Sequence, residues 1–249
     1  MLGHSHAASG ALAWVCAAGA LPPLLGTSLG PRDIIVGAVV CAGAALLPDL
    51  DHHDSTIANF LGPPSELAAR IVSWAAGGHR QATHSFLFAG LTGAAVALGE
   101  WLWGGAFGLA VVFTMLALAL AGLRICPPGP GLRAWGTVAV EAGAGTWLVA
   151  RYLPGVWDWL PFAVALGSLA HIAGDCLTER GCPLLWPHRK RYALPVISST
   201  GNAVETMVLV PVMTVATVVV FWVTTVVPAG HPAAPSKPSP EVEAVDPQP

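Results

Sequence analysis

Long apolar stretches constrain this chain more than any other feature of its sequence. A bilayer core about 30 Å thick needs about 20 residues of α-helix to cross it, and seven stretches reach or approach that length. They cover residues 8–29, 34–48, 85–103, 104–123, 134–152, 156–173 and 203–227. With 54% hydrophobic and only 10% charged residues over 249 positions, the chain lacks the polar surface of a soluble domain. We therefore predict an all-α fold, a polytopic membrane helical bundle with about seven transmembrane spans.

The chain divides into a membrane-embedded domain, residues 1–227, and a tail, residues 228–249, whose Pro-rich composition predicts disorder. No Lys or Arg precedes the first apolar stretch, so we expect this stretch to remain in the protein as its first helix. The net charge of −3 gives no electrostatic support for nucleic-acid binding. We expect membrane lipids to surround the first domain instead.

Two polar segments between the spans, residues 49–84 and 174–202, are long enough to carry chemistry. Counting the crossings places every histidine except His231 at one membrane face, together with most of the Lys and Arg residues. Because positive charges concentrate on the cytoplasmic side, we predict that this face is cytoplasmic and that the tail is external.

The strongest chemical signal is Pro48-Asp49-Leu50-Asp51-His52-His53-Asp54-Ser55, where the second span ends. Its carboxylates and imidazoles are the oxygen and nitrogen donors that Zn²⁺, Mn²⁺ and Fe²⁺ accept, and Asp49 and Asp51 are the better ligand candidates. The alternative is a polar loop in which Asp residues cap the next helix.

A second cluster, Gly78-His79-Arg80-Gln81-Ala82-Thr83-His84-Ser85, precedes the third span. His79 and His84 are predicted ligands, unless they and the arginine merely snorkel to the interface. Thr83 or Ser85 is positioned to cap the helix. Arg80 either binds a substrate phosphate or carboxylate or holds a carboxylate of the protein, Asp54 or Glu66.

A third cluster, His171-Ile172-Ala173-Gly174-Asp175, closes the sixth span. Four-residue spacing places His171 and Asp175 on one helical face, so both can reach one metal, or the carboxylate can orient the imidazole.

Three further positions carry open alternatives. Glu205 lies at the start of the last span. It is either a metal ligand, a general base or a carboxylate that complements the helix dipole. Glu141, inside the fifth span, suits an interhelical hydrogen bond or proton handling. His6 and His4 are equally placed to add a ligand from the N-terminus, and we take His6.

The order of these motifs resembles the YdjM-like family of inner-membrane-associated proteins, described as candidate metal-dependent hydrolases and as LexA-binding. The matching pieces, over about residues 1–225, are an N-terminal His, Leu47-Pro48-Asp49-Leu50-Asp51-His52, His79-Arg80-x-x-Thr83-His84-Ser85, and His171-x-x-x-Asp175-x-x-Thr178-x-x-Gly181. That family is similar in ligand pattern to zinc-dependent phospholipase C and single-strand nucleases, which are all-helical phosphoesterases with clustered metals. The resemblance therefore implies a phosphoester substrate.

We predict one or two divalent ions, zinc first and manganese as the alternative, that lower the pKa of a bound water toward about 7. The predicted metal ligands are His6, Asp49, Asp51, His79, His84, His171 and Asp175. Arg80 would steady developing negative charge, and Asp54 or Glu205 would act as base. A position at the membrane interface favours a lipidic or amphiphilic substrate.

Two other classes of protein remain open from the sequence. A divalent-cation transporter is expected to place ligands near the bilayer midplane, where only Glu141 is clearly deep. A non-catalytic membrane scaffold with a structural metal is expected to close its site with four protein ligands.

Overall fold

The structure is a computed structural model that describes residues 1–21, 29–55, 57–59, 62–125, 132–153 and 155–226. The predicted tail, residues 228–249, lies outside them. Within these ranges the chain is helical and has no β-strand, which confirms the all-α prediction. The α-helices are α1 (Gly3–Ala17), α2 (Pro31–Ala44), α3 (Pro63–Ala76), α4 (Phe86–Trp103), α5 (Gly105–Gly122), α6 (Leu132–Tyr152), α7 (Val156–Cys176) and α8 (Val210–Thr225). Short 3-10 turns at Pro48–Asp51 and Ala82–His84 and a π-helical turn at Glu205–Leu209 complete the described elements.

Five segments in the described part of the chain are long and apolar enough to cross a membrane, so the predicted count of about seven is not confirmed. They are Pro31–Asp51, Phe86–Trp103, Gly105–Gly122, Val156–Cys176 and Glu205–Thr225. Helix α1 has only 15 residues, fewer than the roughly 20 that a bilayer core requires. Helix α6 has 21 residues, but three of them, Arg133, Glu141 and Arg151, are charged.

Helices α1, α2 and α7 pack together at the centre of the bundle, because small residues let their backbones touch. A β-carbon added at Gly10 of α1 would lie 2.5 Å from the carbonyl oxygen of Cys41 in α2, and one at Gly167 of α7 would lie 2.4 Å from the same atom. Only glycine permits both approaches. The buried Trp14 and Trp159 rings, 5.2 Å apart, fill the space beside this contact.

Helix α3 was not predicted, because it lies inside the segment taken as polar. Pro63 stands at its start, and Gly77 ends it in the left-handed conformation with a φ of 81°. Its small residues Ser65, Ala69 and Ala76 are buried against the protein. Three large apolar side chains on the opposite side, Leu67, Ile71 and Trp74, are 60%, 57% and 85% exposed. Helix α3 is therefore amphipathic, with its apolar side facing away from the protein.

Candidate metal centre

All seven predicted metal ligands meet at one end of the bundle. They come from the start of α1, the Pro48–Asp51 turn, the loop after α3, the Ala82–His84 turn and the last turns of α7. The groups whose ligand atoms all lie within 4.8 Å of one another are Asp49–Asp51–His79–His84, His6–Asp49–His171 and His84–His171–Asp175. The fold thus gathers three separate sequence motifs and the N-terminal helix into one cluster.

Two imidazoles face each other at the centre of this cluster. The Nε2 atoms of His84 and His171 are 3.2 Å apart. Asp175 Oδ2 lies 3.3 Å from the first nitrogen and 3.7 Å from the second. Asp49 Oδ1 lies 3.9 Å and 3.6 Å from the same two atoms. These four residues enclose a small space with one nitrogen or oxygen atom from each.

The tautomers of both rings follow from their outer partners. The Nδ1 atom of His171 donates to the carbonyl oxygen of Ala45 at 2.7 Å, which leaves Nε2 with the lone pair of a neutral ring. In His84, Nδ1 contacts the Thr83 hydroxyl oxygen at 3.0 Å and Asp51 Oδ2 at 3.5 Å. Because the Thr83 hydroxyl itself donates to Asp51, its oxygen accepts from His84. In neutral rings two lone pairs would therefore face each other across 3.2 Å, a repulsion that a proton or a metal ion between them relieves.

The electrostatics of His84 point the same way. Burial would lower the pKa of this imidazole, but the neighbouring Asp175 and Asp51 carboxylates, 3.3 Å and 3.5 Å from its nitrogens, raise the pKa to about 9. The surroundings of His84 therefore favour a positive charge at this ring, which a proton or a bound metal ion supplies. At the edge of the cluster, by contrast, burial and the neighbouring His79 lower the pKa of His52.

The donor set fits a divalent ion. Two metal–ligand bonds of about 2.0–2.1 Å at a tetrahedral angle place their ligand atoms about 3.3 Å apart, close to the spacing of the two Nε2 atoms. Asp175 Oδ2 and both ring nitrogens of His6 are buried without a hydrogen-bond partner in the described part of the chain. Buried polar atoms of this kind normally have a partner, and a metal would supply one.

Arg80 and Thr178 hold Asp175 in place. Arg80 Nη2 lies 2.7 Å from Asp175 Oδ1, and the amine of Met1 lies 2.8 Å from the same oxygen. Arg80 Nη1 also donates to Thr178 Oγ1 at 3.0 Å. The guanidinium therefore neutralises one carboxylate oxygen and leaves the other directed at the two imidazoles. The sequence alternative in which Arg80 holds a carboxylate of the protein named Asp54 or Glu66, whereas the partner in the structure is Asp175.

Asp51 contacts the Nδ1 atom of His84, whereas Asp49 faces the two central Nε2 atoms. Asp51 Oδ1 accepts from His79 Nδ1 at 2.7 Å, and Asp51 Oδ2 accepts from the backbone amide of Arg80 at 3.0 Å and from the Thr83 hydroxyl. Asp51 thus orients the two histidines of the second motif, as carboxylates behind metal-bound imidazoles do. The helix cap in this motif belongs to Ser85, whose side chain accepts from the Phe88 amide.

The two predicted bases lie outside the cluster. Asp54 is 74% exposed and faces His53 at 3.2 Å. Glu205 is buried, and its carboxylate accepts from the amides of Leu2 at 2.5 Å and Gly201 at 2.7 Å. Glu205 therefore fastens the N-terminus to the start of the last span, while Asp54 remains accessible.

A polar cavity of about 720 Å³ opens beside the cluster. Asp49, His79 and Arg80 contribute to its wall, so the cluster can be reached from it. The wall also includes Arg124 and Arg180, which the sequence analysis did not select. Each follows a predicted span end or motif, but nothing in the sequence placed them at the same cavity.

Comparison with known proteins gives the chain its family. The family model described as "YdjM inner membrane protein" matches residues 1–230. The inner membrane proteins YdjM of Escherichia coli (strain K12) and Shigella flexneri are each 30% identical to the chain over 161 residues, 64% of this chain and 54% of each relative. The match thus spans about half the length of these relatives. No solved structure matches. Together with its membrane-spanning helices, the match over residues 1–230 shows that this chain belongs to the YdjM family of inner membrane proteins.

Proposed function

We propose that this chain is a membrane-embedded, metal-dependent hydrolase of phosphoester or lipid-like substrates. The observation that carries the proposal is the pair of facing His84 and His171 nitrogens, flanked by Asp49 and Asp175, beside an open polar cavity. Zinc is the first choice of metal for these nitrogen and oxygen donors, with manganese as the alternative.

The residues divide into three roles. Asp49, His84, His171 and Asp175 would hold the ion, and His6 stacks on His171 with ring centroids 3.6 Å apart to complete the inner wall. When bound, a divalent ion polarises a phosphoryl or acyl oxygen and lowers the pKa of a water molecule.

The surrounding residues set the geometry and the proton path. Asp51 and Arg80 fix the orientation of the histidines and of Asp175. Asp54, exposed at the cavity wall, is the proposed proton acceptor. Because both oxygens of Glu205 accept backbone amides, it is the weaker of the two predicted bases.

Accessibility favours hydrolysis over a purely structural metal. Structural sites are closed by protein ligands, whereas Asp49 and His79 here line an open cavity. The cluster also lies at helix ends rather than midway along the spans, where a transporter is expected to hold its ion.

The test begins with the metal content of detergent-purified protein, measured by elemental mass spectrometry. We expect near-stoichiometric zinc or manganese in the native chain and loss of it in His84→Ala and His171→Ala. His53→Ala is the matched control for metal content, because the His53 side chain is 81% exposed and lies outside the groups of candidate ligands found among the described residues. Metal in neither the native chain nor the control, even after supplementation, would overturn the metal site.

Turnover is then screened with phospholipid and soluble phosphoester substrates. Hydrolysis that chelation abolishes, and that His84→Ala and His171→Ala lose, supports the proposal. A metal-loaded protein that hydrolyses none of these substrates and passes divalent ions across proteoliposomes would replace the hydrolase with a transporter.

A further inference from the structure

The cavity has a cationic wall that the metal cluster does not use. Arg124, just after α5, and Arg180, in the loop after α7, both line it. Their guanidinium groups form no hydrogen bond or ion pair within the described ranges of the chain. Arg80, the third arginine of the wall, is by contrast 7% exposed and bonded to Asp175 and Thr178. Two arginines are therefore available to a ligand.

The backbone of Arg124 is held in a costly conformation. Its φ is 55°, and Arg80 with a φ of 58° is the other non-glycine residue with positive φ in the described part of the chain. Such backbone conformations are unfavourable for residues other than glycine, and they concentrate at functional sites. Both of these strained residues are arginines, and both line this cavity.

Hydroxyl groups extend the polar wall. Ser198, Ser199 and Thr200, just before the last span, line the cavity with the arginines. Ser198 already accepts from Asn202, whereas hydroxyl donors at Ser199 and Thr200 are exposed. The carboxylates of Asp49, Asp54 and Glu179 also line the cavity, so an anion has to bind at the side of the wall where the two arginines and the hydroxyl groups lie.

We propose that this cavity binds the phosphate group of an organic phosphoester, and that Arg124 and Arg180 receive its non-bridging oxygens. A planar guanidinium group binds phosphate through two parallel hydrogen bonds. Two arginines can therefore bind several of the oxygens of one phosphate group. That the bound phosphoester is then hydrolysed rests on the proposed function, since the metal cluster lies at the same cavity. Binding itself does not depend on turnover.

The experiment measures binding of inorganic phosphate and of dihexanoylphosphatidic acid by calorimetry, using the full-length protein in detergent. Arg124→Gln, Arg180→Gln and their double variant keep the β- and γ-carbons of the side chain while removing the charge. Arg189→Gln is the matched control, because Arg189 is an exposed arginine of the same loop as Arg180 but does not line the cavity. Metal content is measured on every sample.

We expect the double variant to bind both probes about tenfold more weakly, or weaker still, with unchanged metal content, and the control to bind as the native chain does. Tighter binding of the lipid than of inorganic phosphate assigns the phosphate to a lipid headgroup, and equal binding assigns it to a soluble phosphoester. Equal affinities in the native chain and the double variant would overturn the inference. Weakened binding in a protein that hydrolyses nothing would uphold the anion site and count against the hydrolase alone.

Discussion

Asp49 and Asp51 lie in one short turn, yet their carboxylates meet different partners. The sequence predicted both as ligands, because a pair of Asp residues at a span end offers equivalent oxygens. The structure separates them: Asp51 is surrounded by donors from the second motif, while Asp49 faces the two central nitrogens and the cavity. Spacing along the chain could not show this, because the partners are about 30 or more residues away.

This difference predicts unequal effects on metal binding. Asp49→Asn removes a charge that faces the ion directly, so we expect it to abolish stable metal binding. Asp51→Asn leaves the facing atoms in place but loosens His79 and His84, so we expect about a 10–100-fold loss of metal affinity. Competition with a chelating dye measures both. Equal losses in the two variants, with both proteins still monodisperse, would show that Asp51 is itself a ligand.

At the scale of elements, the sequence predicted the helices that carry long apolar runs and missed α3. The motif residues were identified because they stand at span ends, where the chain changes from apolar to polar. Helix α3 carries its apolar residues at helical spacing, Leu67, Ile71 and Trp74, among charged and small ones, and that spacing was the available signal. A search for 20-residue runs cannot detect a 14-residue amphipathic helix.

The exposed apolar side of α3 predicts that this helix lies in the membrane interface. Trp74 is 85% exposed, and an amphipathic helix with Trp and Leu on one side inserts that side at the headgroup boundary. Since Gly77 and Gly78 lead directly from α3 to His79 and Arg80, the helix would set the metal centre at headgroup depth.

Photo-crosslinking tests this position of α3. In vesicles that contain a phospholipid with a photoactivatable group near its headgroup, we expect adducts at Leu67, Ile71 and Trp74 and none at the buried Ala69. Leu67→Lys combined with Ile71→Lys should reduce the adducts on α3 and leave those on α8 unchanged. Labelling of α3 from the aqueous phase alone would contradict an interfacial helix.

At the scale of the whole molecule, the cluster ties together elements that are distant in sequence. His6 stands on α1, Asp49 after α2, His84 before α4 and His171 on α7. An ion bound by these residues stabilises only the folded bundle, because the unfolded chain does not hold them together. The sequence placed His6 and His4 equally as candidates from the N-terminus, and the packing of α1 against α2 and α7 is what brings His6 to the cluster.

Chelation should therefore lower the unfolding temperature of the native protein. Binding at about 1,000 times the Kd adds about 4 kcal/mol to the free energy of unfolding, which corresponds to several degrees. We expect a chelator to lower the Tm of the native chain and of His53→Ala, and to leave that of His171→Ala unchanged. A chelator that lowers all three equally would be acting elsewhere in the molecule.

The charges at the two ends of the bundle predict its orientation in the membrane. The end with the metal centre carries Arg70, Arg80, Arg124, Arg133, Arg180, Arg189, Lys190 and Arg191, while Arg32 and Arg151 lie at the other. Since Lys and Arg residues are retained on the cytoplasmic side, the metal centre should face the cytoplasm. Arg80 forms an ion pair with Asp175 and is left out of this comparison. The remaining seven positive residues at the metal-centre end, against two at the other end, still predict the same orientation in the membrane.

Cysteine labelling in intact cells measures this orientation directly. In a chain whose native cysteines are replaced, Gly19→Cys reports the end of α1 far from the metal centre, where an added side chain meets nothing within 4 Å. Arg189→Cys reports the exposed loop after α7. We expect a membrane-impermeant maleimide to label position 19 in intact cells and position 189 only after permeabilisation. The opposite pattern would place the metal centre outside the cytoplasm, and its substrate would then have to be sought on the outer side of the membrane.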